Sequence, residues 1–379
     1  MADPRRTLVG FALAAMLTVS ACGGDDTSSN AETEPTGSAP EQSADTATQA
    51  SEPTTEASAP ASEDEASAVR LGVFPNVTHA PGLVGAEGGH FQDALGEDVE
   101  LTVQYFNAGG EAIQSLFAGA IDITFVGPNP AINGFAQSNG EAVRIIAGAT
   151  SGGAAFVVRE GIDSVEDLAG TTLGSPALGN TQDVALRAWL ADQGYETDAA
   201  GGGDVSITPL ANPDILQAFQ LDELDGAWVP EPWATRLILE GGGHVLLDEA
   251  DIWPDGRFVT THVVVSTEFL EKNPGLVRRF LEGHLSALDA IAADPEGSQT
   301  VVLDAIEAIS GSRLPTEVIA AAWKNLEFTW DPVSSSLAKS ASDATEVGLL
   351  DPVELDGIYD LAILNGILES QGQPPVEGL

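Results

Sequence analysis

The chain has 379 residues, with 14 Lys plus Arg against 58 Asp plus Glu and a net charge of −44. A surface this acidic repels nucleic acid and anionic lipid, which excludes a polyanion as partner. A single cysteine leaves no intrachain disulfide, and the length allows two lobes whose core needs no covalent staple.

The first segment sets the compartment. Arg5 and Arg6 precede an apolar run from Leu8 to Val19, which is too short to span a bilayer comfortably. Val19-Ser20-Ala21-Cys22 follows. This is the layout of a signal peptide over residues 1–22, and its end resembles the bacterial lipobox. Cleavage is expected to leave Cys22 as the mature N-terminus, its thiol acylated, with the protein lipid-anchored on the extracytoplasmic face of the cell membrane. The paired arginines lack the flanks of a twin-arginine signal and leave the export route open. Residues 23–67 are Ser, Thr, Ala, Glu, Asp, Gly and Pro with almost no large apolar side chain. Such a segment cannot offset its ordering entropy, so a disordered acidic tether with a mean reach of roughly 35–40 Å is expected. From Ala68 onward the chain keeps 12 Lys plus Arg against 46 Asp plus Glu, a net −34.

Strand-like and helix-like stretches then alternate. Strands are predicted over 69–74, 99–105, 121–126, 143–149, 154–158, 171–174, 205–208, 224–229, 244–247 and 258–265. Helices are predicted over 109–118, 128–137, 179–193, 212–220 and 230–240. The alternation argues for an α/β protein with mainly parallel sheets. After Ser266 the pattern turns helical: 266–272, 274–293, 295–309, 315–323, 333–345 and 351–368. The whole reads as two α/β lobes joined by a hinge, with a helical C-terminal tail.

In open α/β sheets, ligands sit outside the carboxyl ends of the strands. The loops that follow strands therefore carry the candidates. The first is Phe74-Pro75-Asn76-Val77-Thr78-His79-Ala80-Pro81, whose polar members are Asn76, Thr78 and His79. The second is Gly127-Pro128-Asn129-Pro130, where Pro130 preorganises a helix whose free N–H groups face the cleft. Ser151-Gly152-Gly153 permits close backbone approach. Ser175 to Asp183, with Gly179 among them, feeds an amphipathic helix, and its first-turn N–H groups with the Asn180 and Thr181 side chains are expected to form an anion seat. Pro230-Glu231-Pro232-Trp233 follows Trp228 and opens another helix. Each such loop, taken alone, is an ordinary turn or helix cap; five in succession at equivalent positions argue for a cleft.

These stretches resemble the periplasmic solute-binding proteins of ABC importers, in the branch for nitrate, taurine and aliphatic sulfonates. The resemblance rests on Leu71 to Pro81, Leu116-Phe117-Ala118-Gly119-Ala120-Ile121-Asp122, Val126 to Pro130, Ser164 to Gly170 and Gly226 to Trp233. It implies a type II periplasmic-binding-protein fold, with residues 68–155 plus 259–379 in one lobe and 156–258 in the other. It further implies closure on a small solute, delivery to an ABC permease and its ATPase subunits, and a monomer as the default state.

Members of that branch often hold an oxyanion on N–H groups and hydroxyls, without a buried cation. The expected ligand is an aliphatic sulfonate, taurine or nitrate, with its anion near Ser151, Gly152, Asn180 and Thr181. His79 and Trp228 would line the rest, and Glu231 would take a ligand amine or hydroxyl. The alternative is a thiamine-precursor pyrimidine, stacked on Trp and His with Glu231 accepting a ring donor. An enzyme is not expected. His79, His90, His244, His262 and His284 show no metal-ligand spacing, and no Gly-x-Ser-x-Gly elbow or phosphate-cradling loop occurs. No metal or cofactor is expected. Trp189, Trp323 and Trp330 are assigned to core packing, and Trp253 to packing at the return crossover.

Overall fold

The computed structural model describes residues 64–379. The signal peptide, Cys22 and the tether up to residue 63 lie outside the described residues. Four strands open the fold: β1 (Ala68–Val73), β2 (Glu100–Tyr105), β3 (Ile123–Val126) and β4 (Val143–Gly152). The chain then passes directly into β5 (Ala154–Val158), followed by β6 (Thr172–Pro176), β7 (Ser206–Leu210), β8 (Gly226–Pro230) and β9 (His244–Asp248). It returns through β10 (Val259–Ser266) and later adds β11 (Leu326–Phe328). Two sheets result, one ordered β11-β4-β10-β3-β1-β2 and the other β7-β6-β8-β5-β9.

The sheets are mixed, whereas the alternation predicts mainly parallel ones. β1 pairs in parallel with β2 and β3, and β6 with β7 and β8. β10 runs antiparallel to β3 and β4, and β5 antiparallel to β8 and β9. The physical reason is the crossing. β4 and β5 form one path from sheet to sheet, and β10 brings the chain back, so the strands beside the crossings meet neighbours head to tail. At the crossing, Gly152 and Gly153 have φ of 79° and 75°, which glycine adopts without strain.

Side-chain alternation feeds a core on each face of each sheet. On β10, Val263 and Val265 join one core while Val264 joins the opposite one. On β8, Trp228 enters one core and Ala227 and Val229 the other. Burying each such large side chain contributes roughly 1.5–3 kcal/mol. Helix Pro274–Ala293 covers the first sheet, and its Phe280 stacks on Phe91 with ring centroids 4.4 Å apart.

Three further differences from expectation have clear causes. Helix Ala80–Glu87 escapes the sequence pattern because Ala80 through Gly85 are all buried, and a helix buried all round carries no amphipathic stripe. The helix predicted over 351–368 forms only over Ala362–Ser370, because Pro352 and Gly357 interrupt the stretch before it and Tyr359 bridges to Ile145 of β4. Asp64 to Ser67, which the composition assigns to the end of the tether, already engage the fold. Asp64 Oδ1 accepts the Gly275 N–H at 2.9 Å, and the Ala66 N–H donates to Asn273 Oδ1 at 2.7 Å. Ala66 packs against the core while Asp64 docks at a helix start, where backbone N–H groups lack partners within the helix.

Candidate ligand-binding cleft

Five helix starts converge between the two sheets. Gly109 begins helix Gly109–Phe117, and Gly127 precedes helix Pro128–Gln137. Asn180 precedes helix Thr181–Asp192, Asn212 begins helix Asn212–Gln220, and His79 precedes helix Ala80–Glu87. All five contribute to the lining of one cavity of about 30 Å³, together with Phe74, Asn76, Thr78, Asn107, Pro176, Thr181, Gln182, Pro230 and Thr260. None of these lining residues is Lys, Arg, Asp or Glu. Helix N-termini and their N–H groups are therefore the source of positive potential that the lining itself offers an anion.

The walls are stiffly held. The Thr78 carbonyl accepts from Thr150 Oγ1 at 2.7 Å and from Thr261 Oγ1 at 3.0 Å, which fastens the first loop to the sheet. The His79 ring stacks on Phe74 at 4.5 Å. Burial pushes the His79 imidazole down to about 3, so the ring is neutral at ordinary pH. Among the described residues, His79 Nδ1, Thr181 Oγ1 and Asn212 Oδ1 have no hydrogen-bond partner, although all three are buried. Buried polar atoms are normally paired. Three unpaired ones around one cavity offer bonds to something inside it. The helix starts and the Thr181 hydroxyl suit an anion's oxygens, while Asn212 Oδ1 suits a donor on the same ligand.

Segments that follow the strands of the two sheets touch directly around this cavity. Trp233 Nε1 donates to Asn76 Oδ1 at 2.9 Å, and Asn133 Nδ2 to the Gly179 carbonyl at 3.4 Å. Asn325 Nδ2 donates to Glu231 Oε1 at 2.7 Å. A Cβ on Gly127 would lie 2.5 Å from Thr181 Oγ1, so this close approach requires glycine. A cavity of this size holds about one water, so the two sheets must part to admit a solute.

Of the residues expected at the site, Asn76, Thr78, His79, Asn180 and Thr181 line this cavity together. The others lie elsewhere. Pro128 is the first residue of its helix, behind the lining Gly127. Asn129 is buried and donates to the Ser340 carbonyl at 3.2 Å, away from the cavity. Ser151 and Gly152 belong to the ladder, because β4 runs on to Gly152, where β10 and β11 pair with its end. Gly179 sits at the rim, its N–H held by Asp183 Oδ2 at 2.9 Å. Trp228 turns away from the cleft. It stacks on Phe156 at 5.7 Å, and its indole N–H donates to Glu249 Oε2 at 2.7 Å. Glu231 is buried beside the lining Pro230, and its carboxylate is engaged by the Thr235 N–H, the Thr235 hydroxyl and Asn325. Burial raises its pKa against those hydrogen bonds.

Sequence reasoning missed Asn107, Asn212 and Thr260, and Gln182 was not singled out from its loop. The first two follow β2 and β7, so the same post-strand rule points to them. Thr260 lies inside β10 and carries no such signal. Among the described residues, no group of three His, Cys, Asp or Glu could hold a metal, and no helix is long and apolar enough to cross a membrane.

Comparisons with known proteins agree with this geometry. The chain is 28% identical over 233 residues to a taurine-binding periplasmic protein of Escherichia coli K12, covering 61% of this chain and 69% of that one. The periplasmic nitrate-binding protein NrtA from Synechocystis PCC 6803 superposes with a TM-score of 0.70 at 14% identity, covering 82% of this chain and 91% of that one. The alkanesulfonate-binding protein SsuA from Xanthomonas axonopodis pv. citri, bound to MOPS, gives 0.63 at 20% identity, covering 77% and 96%. The two structural likenesses establish a periplasmic-binding-protein fold. The model of the NMT1-like family matches residues 62–303, and the chain belongs to that family.

Proposed function

We propose that this protein is the extracytoplasmic solute-binding component of an ABC importer for a small oxyanion: an aliphatic sulfonate, taurine or nitrate. The observation that carries this reading is the convergence of five helix starts and three unpaired buried polar atoms on one cavity without charged side chains. The names of its relatives support the same ligand class. In this reading residues 68–155 plus 259–379 form one lobe and 156–258 the other. The lobes close on the anion, with Asn180 and Thr181 at its oxygens and His79 and Asn212 at its other groups. The loaded protein then docks on a permease whose ATPase subunits drive release. Cys22 anchors a monomer to the membrane, and the chain is not an enzyme. The pyrimidine alternative loses its stacking tryptophan, since Trp228 faces the core of the second sheet.

Calorimetric titration with taurine, ethanesulfonate and nitrate tests the ligand class. Heat from at least one, with a single site per chain, is expected. No heat from any of them would overturn the anion reading.

A further inference from the structure

Asp183 lies in the first turn of helix Thr181–Asp192, the helix whose start lines the cavity. It is fully buried. Its carboxylate fastens the loop before the helix, accepting the Gly179 N–H at 2.9 Å and the Ser175 hydroxyl. A negative charge in that turn opposes an anion seated on the same N–H groups. One turn later, Arg187 Nε donates to Asp183 Oδ2 at 3.1 Å, and Arg187 Nη1 donates to the Asp198 carbonyl at 2.6 Å. Arg187 is 1% exposed and is not among the residues lining the cavity.

We propose that Arg187 is a positioning and affinity-determining residue that cancels the charge of Asp183, so that the carboxylate can hold the Ser175–Gly179 turn without repelling the bound anion. The inference rests on the oxyanion reading above. It assigns the seat's net field to a neutral pair behind it plus the helix start, with Thr181 Oγ1 as the nearby unpaired group that points to a ligand. Replacing Arg187 alone leaves an uncompensated buried charge next to the seat. Replacing both partners by neutral residues keeps the seat neutral.

The test compares wild type, Asp183→Asn, Arg187→Met and the double variant by calorimetry with ethanesulfonate at two salt concentrations, with melting curves for each. Arg187→Met is expected to bind on the order of tenfold more weakly. The double variant should return to within about threefold of wild type, because the introduced amide oxygen still accepts the Gly179 N–H and no charge remains. Asp183→Asn alone should bind at least as tightly as wild type. A purely structural pair would show the double variant binding no better than Arg187→Met, and that result overturns the proposal. If Arg187→Met does not fold, Asp183→Asn decides: tighter or equal binding supports the charge argument, and weaker binding overturns it. Wild type giving no heat with ethanesulfonate, taurine or nitrate would instead overturn the oxyanion reading, and this inference with it.

Discussion

Trp233 Nε1 and Asn76 Oδ1 lie 2.9 Å apart, joining the start of helix Trp233–Leu239, which follows β8 of one sheet, to the loop after β1 of the other. The bond exists only when the two sheets are together. Asn76→Ala should therefore weaken solute binding by a few-fold, matching the roughly 0.5–1.5 kcal/mol net value of one hydrogen bond. It should leave the melting temperature of the ligand-free protein nearly unchanged. Calorimetry and thermal unfolding check both halves, and a loss of stability without a loss of affinity would contradict the assignment.

Two glycines separate closure from folding. At Gly127 a Cβ would meet Thr181 Oγ1 at 2.5 Å across the cleft, so Gly127→Ala should cut affinity by about tenfold or more while stability shifts by less than about 0.5 kcal/mol. At Gly148, in β4, a Cβ would meet the Asp331 carbonyl oxygen at 2.1 Å, away from the cleft. Gly148→Ala should destabilise the fold by about 1–3 kcal/mol, read by urea denaturation.

The strands of the two sheets were largely legible in the sequence, because each βα unit announces itself by a change of period. The cleft was legible in part. The post-strand rule reached Asn76, Thr78, His79, Asn180 and Thr181, and applied to every strand it also reaches Asn107 and Asn212. It failed at Trp228 because β8 is buried on both faces, so Gly226 to Pro230 carry no polar alternation to show which side each residue takes. It placed Ser151 and Gly152 in a loop because the strands that pair with this end of β4, β10 and the three-residue β11, both lie far along the chain.

Glu249 gives a pH dependence of defined sign. Its carboxyl is fully buried and accepts from Trp228 Nε1 at 2.7 Å and Trp253 Nε1 at 3.3 Å; burial outweighs these bonds and pushes it up to about 7. The folded value lies above the unfolded one. The associated stability is fully present below about pH 4.5 and is lost as pH rises through about 7, a change on the order of 3 kcal/mol. Glu249→Gln should remove this slope, so that its advantage over wild type grows between pH 5 and pH 8. Melting temperatures of both proteins across that range would show it, and parallel curves would refute it.

His79 predicts the opposite for binding. Because its imidazole is held down to about 3 by burial, it stays neutral throughout the working range. The affinity for ethanesulfonate should show no inflection near pH 6.5, the ordinary value for imidazole. His79→Phe, which removes both ring nitrogens, should weaken binding without introducing one. An inflection in wild type that vanishes in His79→Phe would mean that the ring charges on binding.

The net −34 of the chain from Ala68 onward should make the fold sensitive to ionic strength. Raising salt toward about 1 M shortens the screening length to about 3 Å, which relieves self-repulsion. The melting temperature should climb with sodium chloride before any ligand is added. A flat response would show that the acidic groups are already compensated locally.

The path through Gly152 and Gly153 has a mechanical consequence. The chain enters the fold at Asp64, pinned to the start of helix Pro274–Ala293, and near its other end Val376 pairs with Asn365 in the same half of the molecule. The second sheet is thus an insertion with no terminus of its own. Tension applied to either end of the described chain passes through the first sheet alone. The second sheet is joined to the first by two backbone crossings, at Gly152–Gly153 and between β9 and β10, so a rotation of one sheet against the other would need backbone changes only there.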